Sequence, residues 1–219
     1  MASRILVINP NSSHDVTERM SRALDGLRLA GGPRIDCVTL EEGPPGIETD
    51  RHIAEVAGPI VAAVEREQNA TSAFVIACFS DPGLHAAREA SRVPVYGIAQ
   101  CGYAAALATG ERFGVISILS RGVVRHRRQI AALGFLDRLA ADIAIDMGVT
   151  ELGQYDKVLD RMTAVGEELQ SAGADVLVMG CAGMAQYRSP LQKRLGIPVI
   201  DPTQAATAMA LNAVQAEAL

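Results

Sequence analysis

The chain has 219 residues, room for one large domain or two lobes of roughly 100 residues each. Hydrophobic residues make up 49% and charged residues 21%, so a packed core is expected and a disordered chain is excluded. The net charge is −5, with four Phe, four Tyr and no Trp, which argues against nucleic acid as a partner: neither a basic track nor stacking rings are on offer.

The first apolar run, Ile5–Ile8, is too short for a signal-peptide core or a membrane span, so no membrane partner and a cytoplasmic location are expected. Thiols stay reduced in that compartment. Short β-branched runs then alternate with longer Ala-rich stretches, the pattern of βαβ units. Strands are predicted at Arg4–Ile8, Arg34–Leu40, Ala73–Ala77, Val95–Ile98, Phe113–Ile118, Ala141–Ile145, Val176–Met179 and Val199–Ile200. Helices are predicted near Asp15–Leu29, Asp50–Glu67, Leu84–Ser91, Tyr103–Thr109, Val123–Ala132, Lys157–Ala172, Leu191–Leu195 and Gln204–Gln215.

The chain also repeats itself. Arg4-Ile-Leu-Val-Ile-Asn9 returns as Arg112-Phe-Gly-Val-Ile-Ser117, and Phe74-Val-Ile-Ala-Cys78 returns as Leu177-Val-Met-Gly-Cys181. Val93-Pro-Val returns as Ile197-Pro-Val, each followed by an Ala-rich helix. Features in one order at a near-constant offset of about 105 residues predict an α/β fold of two duplicated, pseudo-symmetric lobes, each a mostly parallel sheet flanked by helices. The expected division is 1–98 plus 203–219 for the first lobe and 99–202 for the second. The period is too long for a solenoid.

Parallel sheets bind ligands beyond the carboxyl ends of their strands. Asn9-Pro10-Asn11, Cys78, Ser117 and Cys181 all fall there, so an active site between the lobes is expected. A helix start at Asp81-Pro82-Gly83, just past Cys78, predicts a lowered thiol pKa at that sulfur. Ala182-Gly183 after Cys181 would let backbone amides approach a ligand and hold an enolate oxygen. Two thiols at equivalent strand ends suit proton removal from one face of a carbon and proton return to the other. The four cysteines have no C-x-x-C spacing, so neither a metal site nor a disulfide framework is expected. Cys37 and Cys101 read as packing residues.

The remaining candidates are weaker. His14, His52 and His85 lie at helix starts and read as solvent-facing. His126 sits in the basic run Arg125-His-Arg-Arg128, either a solvated face or a contact near the cleft or a subunit interface, with no catalytic role assigned. Gly43–Glu48 is expected to form a lip with Ile47 pointing at ligand. Neither Gly43-Pro-Pro-Gly46 nor Gly31-Gly32-Pro33 has a phosphate-cradling pattern.

Asn9-Pro-Asn-Ser-Ser13, Gly43-Pro-Pro-Gly-Ile-Glu48, Cys78-Phe-Ser-Asp-Pro-Gly83 and Gly180-Cys-Ala-Gly-Met184 resemble the hydantoin racemase family, a branch of the aspartate/glutamate racemase superfamily. The likeness runs from Ile5 to Pro202. Amino-acid racemases of the superfamily look more like Cys-Asn-Thr and Gly-Cys-Thr-Glu at the cysteine positions, and arylmalonate decarboxylases keep only the second-lobe cysteine. The resemblance implies a cofactor-independent racemase of 5-substituted hydantoins or allantoin, with Cys78 and Cys181 as acid/base residues. It also implies that Asn11, Ser117, Ala182 and Gly183 line the ring, and Pro10, Ile47, Phe79 and Ser80 join the expected substrate-binding set. The sequence departs from the family pattern at Ser80 (Gly is usual), at Ser117 (Thr is usual) and at Gln100-Cys101.

No cofactor is expected. Lys157 and Lys193, the only lysines, lie in polar helical settings that do not suit pyridoxal phosphate. A small-molecule substrate and a homo-oligomer are expected. Two other readings stay open: a one-cysteine isomerase or decarboxylase of a small carboxylate, for which the cleft motifs supply no arginine, and a non-catalytic binder on the same scaffold.

Overall fold

The computed structural model describes residues 3–216. Two four-stranded parallel sheets are present. The first contains β1 (Arg4–Asn9), β2 (Arg34–Thr39), β3 (Ala73–Ile76) and β4 (Val95–Gly97), ordered β2-β1-β3-β4. The second contains β5 (Phe113–Ser117), β6 (Leu139–Ala144), β7 (Val176–Met179) and β8 (Val199–Ile200), ordered β6-β5-β7-β8. The orders match position for position, as the internal repeats predict. β3 and β7 are buried along their whole length, which is why they read as unbroken apolar runs rather than alternating ones. Register is consistent in both sheets: Ile5 pairs with Ile35 and Ala73, and Ile116 with Ile143 and Met179.

Among the described residues seven α-helices connect the strands and an eighth follows β8: α1 (His14–Ala23), α2 (Asp50–Glu67), α3 (Leu84–Ala90), α4 (Ile98–Leu107), α5 (Ser120–Ala132), α6 (Tyr155–Ser171), α7 (Arg188–Leu195) and α8 (Pro202–Ala216). Two of them are exchanged. α4 follows β4 of the first sheet yet packs on β5, β7 and β8 of the second, whereas α8 follows β8 and packs on β1, β3 and β4. The two helices also lie against each other, so closely that a Cβ on Gly102 would fall 2.9 Å from Pro202 Cβ. A single core therefore joins the sheets, with Ile5, Val75, Val115 and Val178 sharing it with Tyr103 and Ala206. Each such side chain contributes on the order of 1.5–3 kcal/mol by leaving water. We propose that the lobes divide along this exchange, 1–98 with 203–219 and 99–202. Residues 1, 2 and 217–219 of that division lie outside the described residues.

In both sheets the chain leaves its first strand on one side and returns on the other. A crevice therefore opens between β1 and β3, and another between β5 and β7. Residues following those four strands form the site.

Candidate active site

Cys78 follows β3 and Cys181 follows β7, and both line one narrow cavity that opens to solvent. Of the sequence-derived candidates, Asn11, Ile47, Phe79, Ser80, Ala182 and Gly183 line it with them. Pro10 and Ser117 do not. Pro10 is buried behind Asn11, and the Ser117 side chain points away into the second lobe, where its hydroxyl donates to Asp142 and lies 3.0 Å from His126 Nδ1.

Asn11 is held in place by its neighbours. Its side-chain oxygen accepts from Asn9 Nδ2 (3.0 Å) and from the Ser13 backbone N–H (2.9 Å), so its own amide nitrogen is left to donate toward the cavity. The lip Gly43–Glu48 is tied down at both ends. The Ser12 N–H donates to the Pro44 carbonyl (3.0 Å), and Glu48 Oε1 accepts from the Val149 N–H (3.0 Å) while the Glu48 N–H donates to His52 Nδ1 (3.2 Å). Ile47 is thereby pressed onto the cavity.

The thiols differ from their sequence-based expectation. Burial pushes Cys78 up to about 12; the neighbouring Cys181 and Asp81 add to the rise, and the Ser80 N–H and Arg125 oppose it. Burial likewise pushes Cys181 up to about 11, against the Gly183 N–H (3.4 Å from the sulfur) and Arg19, with Glu48 and Asp201 adding to the rise. Desolvation disfavours the charged form and outweighs the nearby donors. The expected helix start beside Cys78 is also displaced. α3 begins at Leu84, with Gly83 as its N-cap in the left-handed region at φ +66°. Asp81 does not cap it. Its carboxylate crosses to α4, accepting from the Ala99 and Gln100 N–H groups (2.9 Å each) and from Gln129 Nε2 (3.1 Å). Gly97 makes this possible, because a Cβ there would lie 2.3 Å from the Asp81 carboxyl carbon.

The first turns of α5 bring two residues the sequence reading left unassigned. His126 is buried and lines the cavity, so of its two readings the contact near the cleft holds and the solvated face does not. Its Nδ1 lies 3.0 Å from Asp142 Oδ2 and 3.0 Å from Ser117 Oγ. Because the Ser117 hydroxyl donates to Asp142, Nδ1 carries a proton in this network. Phe79 packs edge-on against the imidazole with ring centroids 5.2 Å apart. Arg125 also lines the cavity, so the cleft does hold an arginine, contrary to the expectation from its motifs. The signal for α5 was present: Gly122, His126 and Ile130 recur every four residues on the buried face of an otherwise polar helix.

Cys37 and Cys101 lie outside the cavity, and all four cysteines are free. Among the described residues no group of three or more His, Cys, Asp or Glu side chains is arranged to hold a metal ion. Nor is any helix among them long and apolar enough to cross a membrane. The arrangement is suited to moving a proton between two sulfurs across a small, largely desolvated ligand, with Asn11 and the Ala182 backbone N–H as hydrogen-bond donors and the Gly183 N–H on the Cys181 sulfur.

Compared with known proteins, residues 5–210 match the family model described as Asp/Glu/Hydantoin racemase. A hydantoin racemase of Paenarthrobacter aurescens is 36% identical over 216 residues, spanning 96% of this chain and 91% of its own. A hydantoin racemase of Rhizobium meliloti is 35% identical, spanning 94% and 86%. The structure of an allantoin racemase from Klebsiella pneumoniae superposes with a TM-score of 0.91 at 32% identity, covering 100% of this chain and 89% of its own.

Proposed function

Because the chain belongs to the Asp/Glu/hydantoin racemase family, we propose that it racemises 5-substituted hydantoins, allantoin included, by a cofactor-independent exchange of one proton between Cys78 and Cys181. One observation carries the mechanism: a cysteine from each sheet opens onto the same cavity. The hydantoin C5 proton is acidified by the adjacent C4 carbonyl. One cysteine, as thiolate, takes that proton, and the C–H electron pair moves into the carbonyl to give an enolate. The other cysteine, as thiol, gives its proton to the opposite face of C5, and the electron pair returns to carbon. The thiolate and the thiol have then changed places, which readies the site for the mirror-image substrate. Two buried sulfurs disfavour a doubly ionised state, which keeps one of them protonated for the second step. Donors aimed at the enolate oxygen, from Asn11 and the Ala182 backbone N–H, would each lower the barrier by about 3 kcal/mol, while the Gly183 N–H supports the Cys181 thiolate.

A polarimetric screen of hydantoins and allantoin tests the reading. Racemisation is expected with the native enzyme and its loss with Cys78→Ser and with Cys181→Ser. Optically stable substrates in the presence of native enzyme would overturn it. The carboxylate isomerase or decarboxylase reading gains from Arg125, the cation it requires. It stays second, because a one-cysteine mechanism leaves the other thiol without a role.

A further inference from the structure

The thiol cavity adjoins a groove lined by His85, Gln100 and Gln129, and the two share Ser80 and Arg125 as a common wall. With a hydantoin ring between the sulfurs, a C5 substituent passing that wall enters a groove whose other walls are Leu84, Ala132, Leu133 and the hydrogen-bonded Asp81.

The wall is built as an anion clamp. The Arg125 side chain is only 15% exposed, yet its charge is weakly matched. Its Nη1 lies 3.4 Å from Asp50 Oδ1, and that carboxylate is exposed and also accepts from Arg128 (3.1 Å). Arg125 Nε donates to Ser80 Oγ (3.1 Å), which leaves the Ser80 hydroxyl hydrogen free to donate onward. Arg125 Nη2 makes no hydrogen bond among the described residues and lies beside Gly122 of the cavity, 3.4 Å from where a Cβ on that glycine would sit. The nearby acids are engaged elsewhere: Asp81 holds the start of α4, and Glu48 holds the Val149 N–H. A guanidinium N–H and a hydroxyl beside one another, on residues that line both spaces, match the two oxygens of a carboxylate.

We propose that Arg125 and Ser80 select hydantoins whose C5 substituent ends in a carboxylate, the hydantoins of acidic amino acids. The proposal rests on the racemase reading for its substrate but not for its binding chemistry.

The test compares 5-(2-carboxyethyl)hydantoin with its primary amide, which has the same shape and no charge. Racemisation by circular dichroism and binding by calorimetry are measured for both ligands, with the native enzyme and with Arg125→Gln, Arg125→Lys and Ser80→Gly. A charge-assisted pair predicts a carboxylate preference of about 10- to 100-fold in kcat/KM and Kd. That ratio should fall to near one in Arg125→Gln, recover in part in Arg125→Lys and shrink in Ser80→Gly. Because each variant is judged by its own ratio, a general loss of stability or rate does not mimic the effect. No preference in the native enzyme, or one that survives Arg125→Gln, overturns the proposal. Preferential binding of the carboxylate through Arg125 with no racemisation of either ligand supports the clamp and overturns the racemase reading instead.

Discussion

Adding a single methyl group at Gly180 probes how tightly the fold aims Cys181. A Cβ there would lie 2.7 Å from the Ile116 carbonyl oxygen and 3.1 Å from Ser117 Cα. Both neighbours are backbone of β5, so neither can rotate aside. The Gly180 N–H donates to that same carbonyl at 2.8 Å, so relieving the clash stretches this bond. Overpacking costs about 1–3 kcal/mol and the weakened hydrogen bond about 1 more, so Gly180→Ala should lose about 2–4 kcal/mol. In urea that is a midpoint shift of roughly 1 M. The next residue is Cys181, and a displacement approaching 1 Å at a reacting group costs on the order of 100-fold in rate. Gly196→Ala is the control. Gly196 closes α7 at φ +71° with open space around it, so its variant should lose only about 1–2 kcal/mol of backbone strain and keep its rate. Equilibrium unfolding and initial racemisation rates read both effects. A Gly180→Ala enzyme as stable and as active as the native one would refute the reasoning.

The thiols predict a distinctive pH dependence. With Cys181 at about 11 and Cys78 at about 12, the thiolate fraction rises about tenfold per pH unit below those values, so kcat/KM should climb with near-unit slope between about pH 6 and 9. A plateau beginning near neutrality would show a thiolate already formed and contradict the burial argument. Asp142→Ala should leave His126 and Ser117 with only each other as partners and the Ser117 hydroxyl hydrogen without its acceptor, at a cost of about 1–3 kcal/mol and a melting temperature lower by roughly 3–10 °C. An unchanged melting curve would mean that the network contributes nothing.

The two-lobed fold was legible because strands buried on both faces write themselves as short apolar runs, and because duplication wrote them twice. All eight predicted strands form, with the ends of β6 displaced toward its N-terminus, to Leu139–Ala144, where the alanines carry little strand signal. α4 begins at Ile98, five residues before the predicted Tyr103, for a physical reason. Its cap is Asp81, remote in sequence, and no local pattern announces a cap delivered across the fold. The same limit applies to the site. Strand ends and Gly-Cys motifs pointed to Cys78, Cys181 and Asn11, which lie where the chain turns out of a sheet. Arg125 and His126 enter from the side of α5; the Gly122, His126, Ile130 spacing marks the inward face of that helix, but that this face meets the cavity follows only once its partners Asp142 and Ser80 are placed. The thiol ionisation was misread for a related reason: a helix start is visible in sequence, but the depth of burial that overrides it is not.

The central claim is that two sulfurs reach one carbon from opposite faces. Proton exchange at C5 in heavy water, followed by mass spectrometry for each pure enantiomer with Cys78→Ser and Cys181→Ser, tests it most directly. The account predicts that neither variant racemises, while each still exchanges the C5 proton of one enantiomer, a different one in each case. Exchange of the same enantiomer by both variants, or racemisation at the native rate by either, would contradict it.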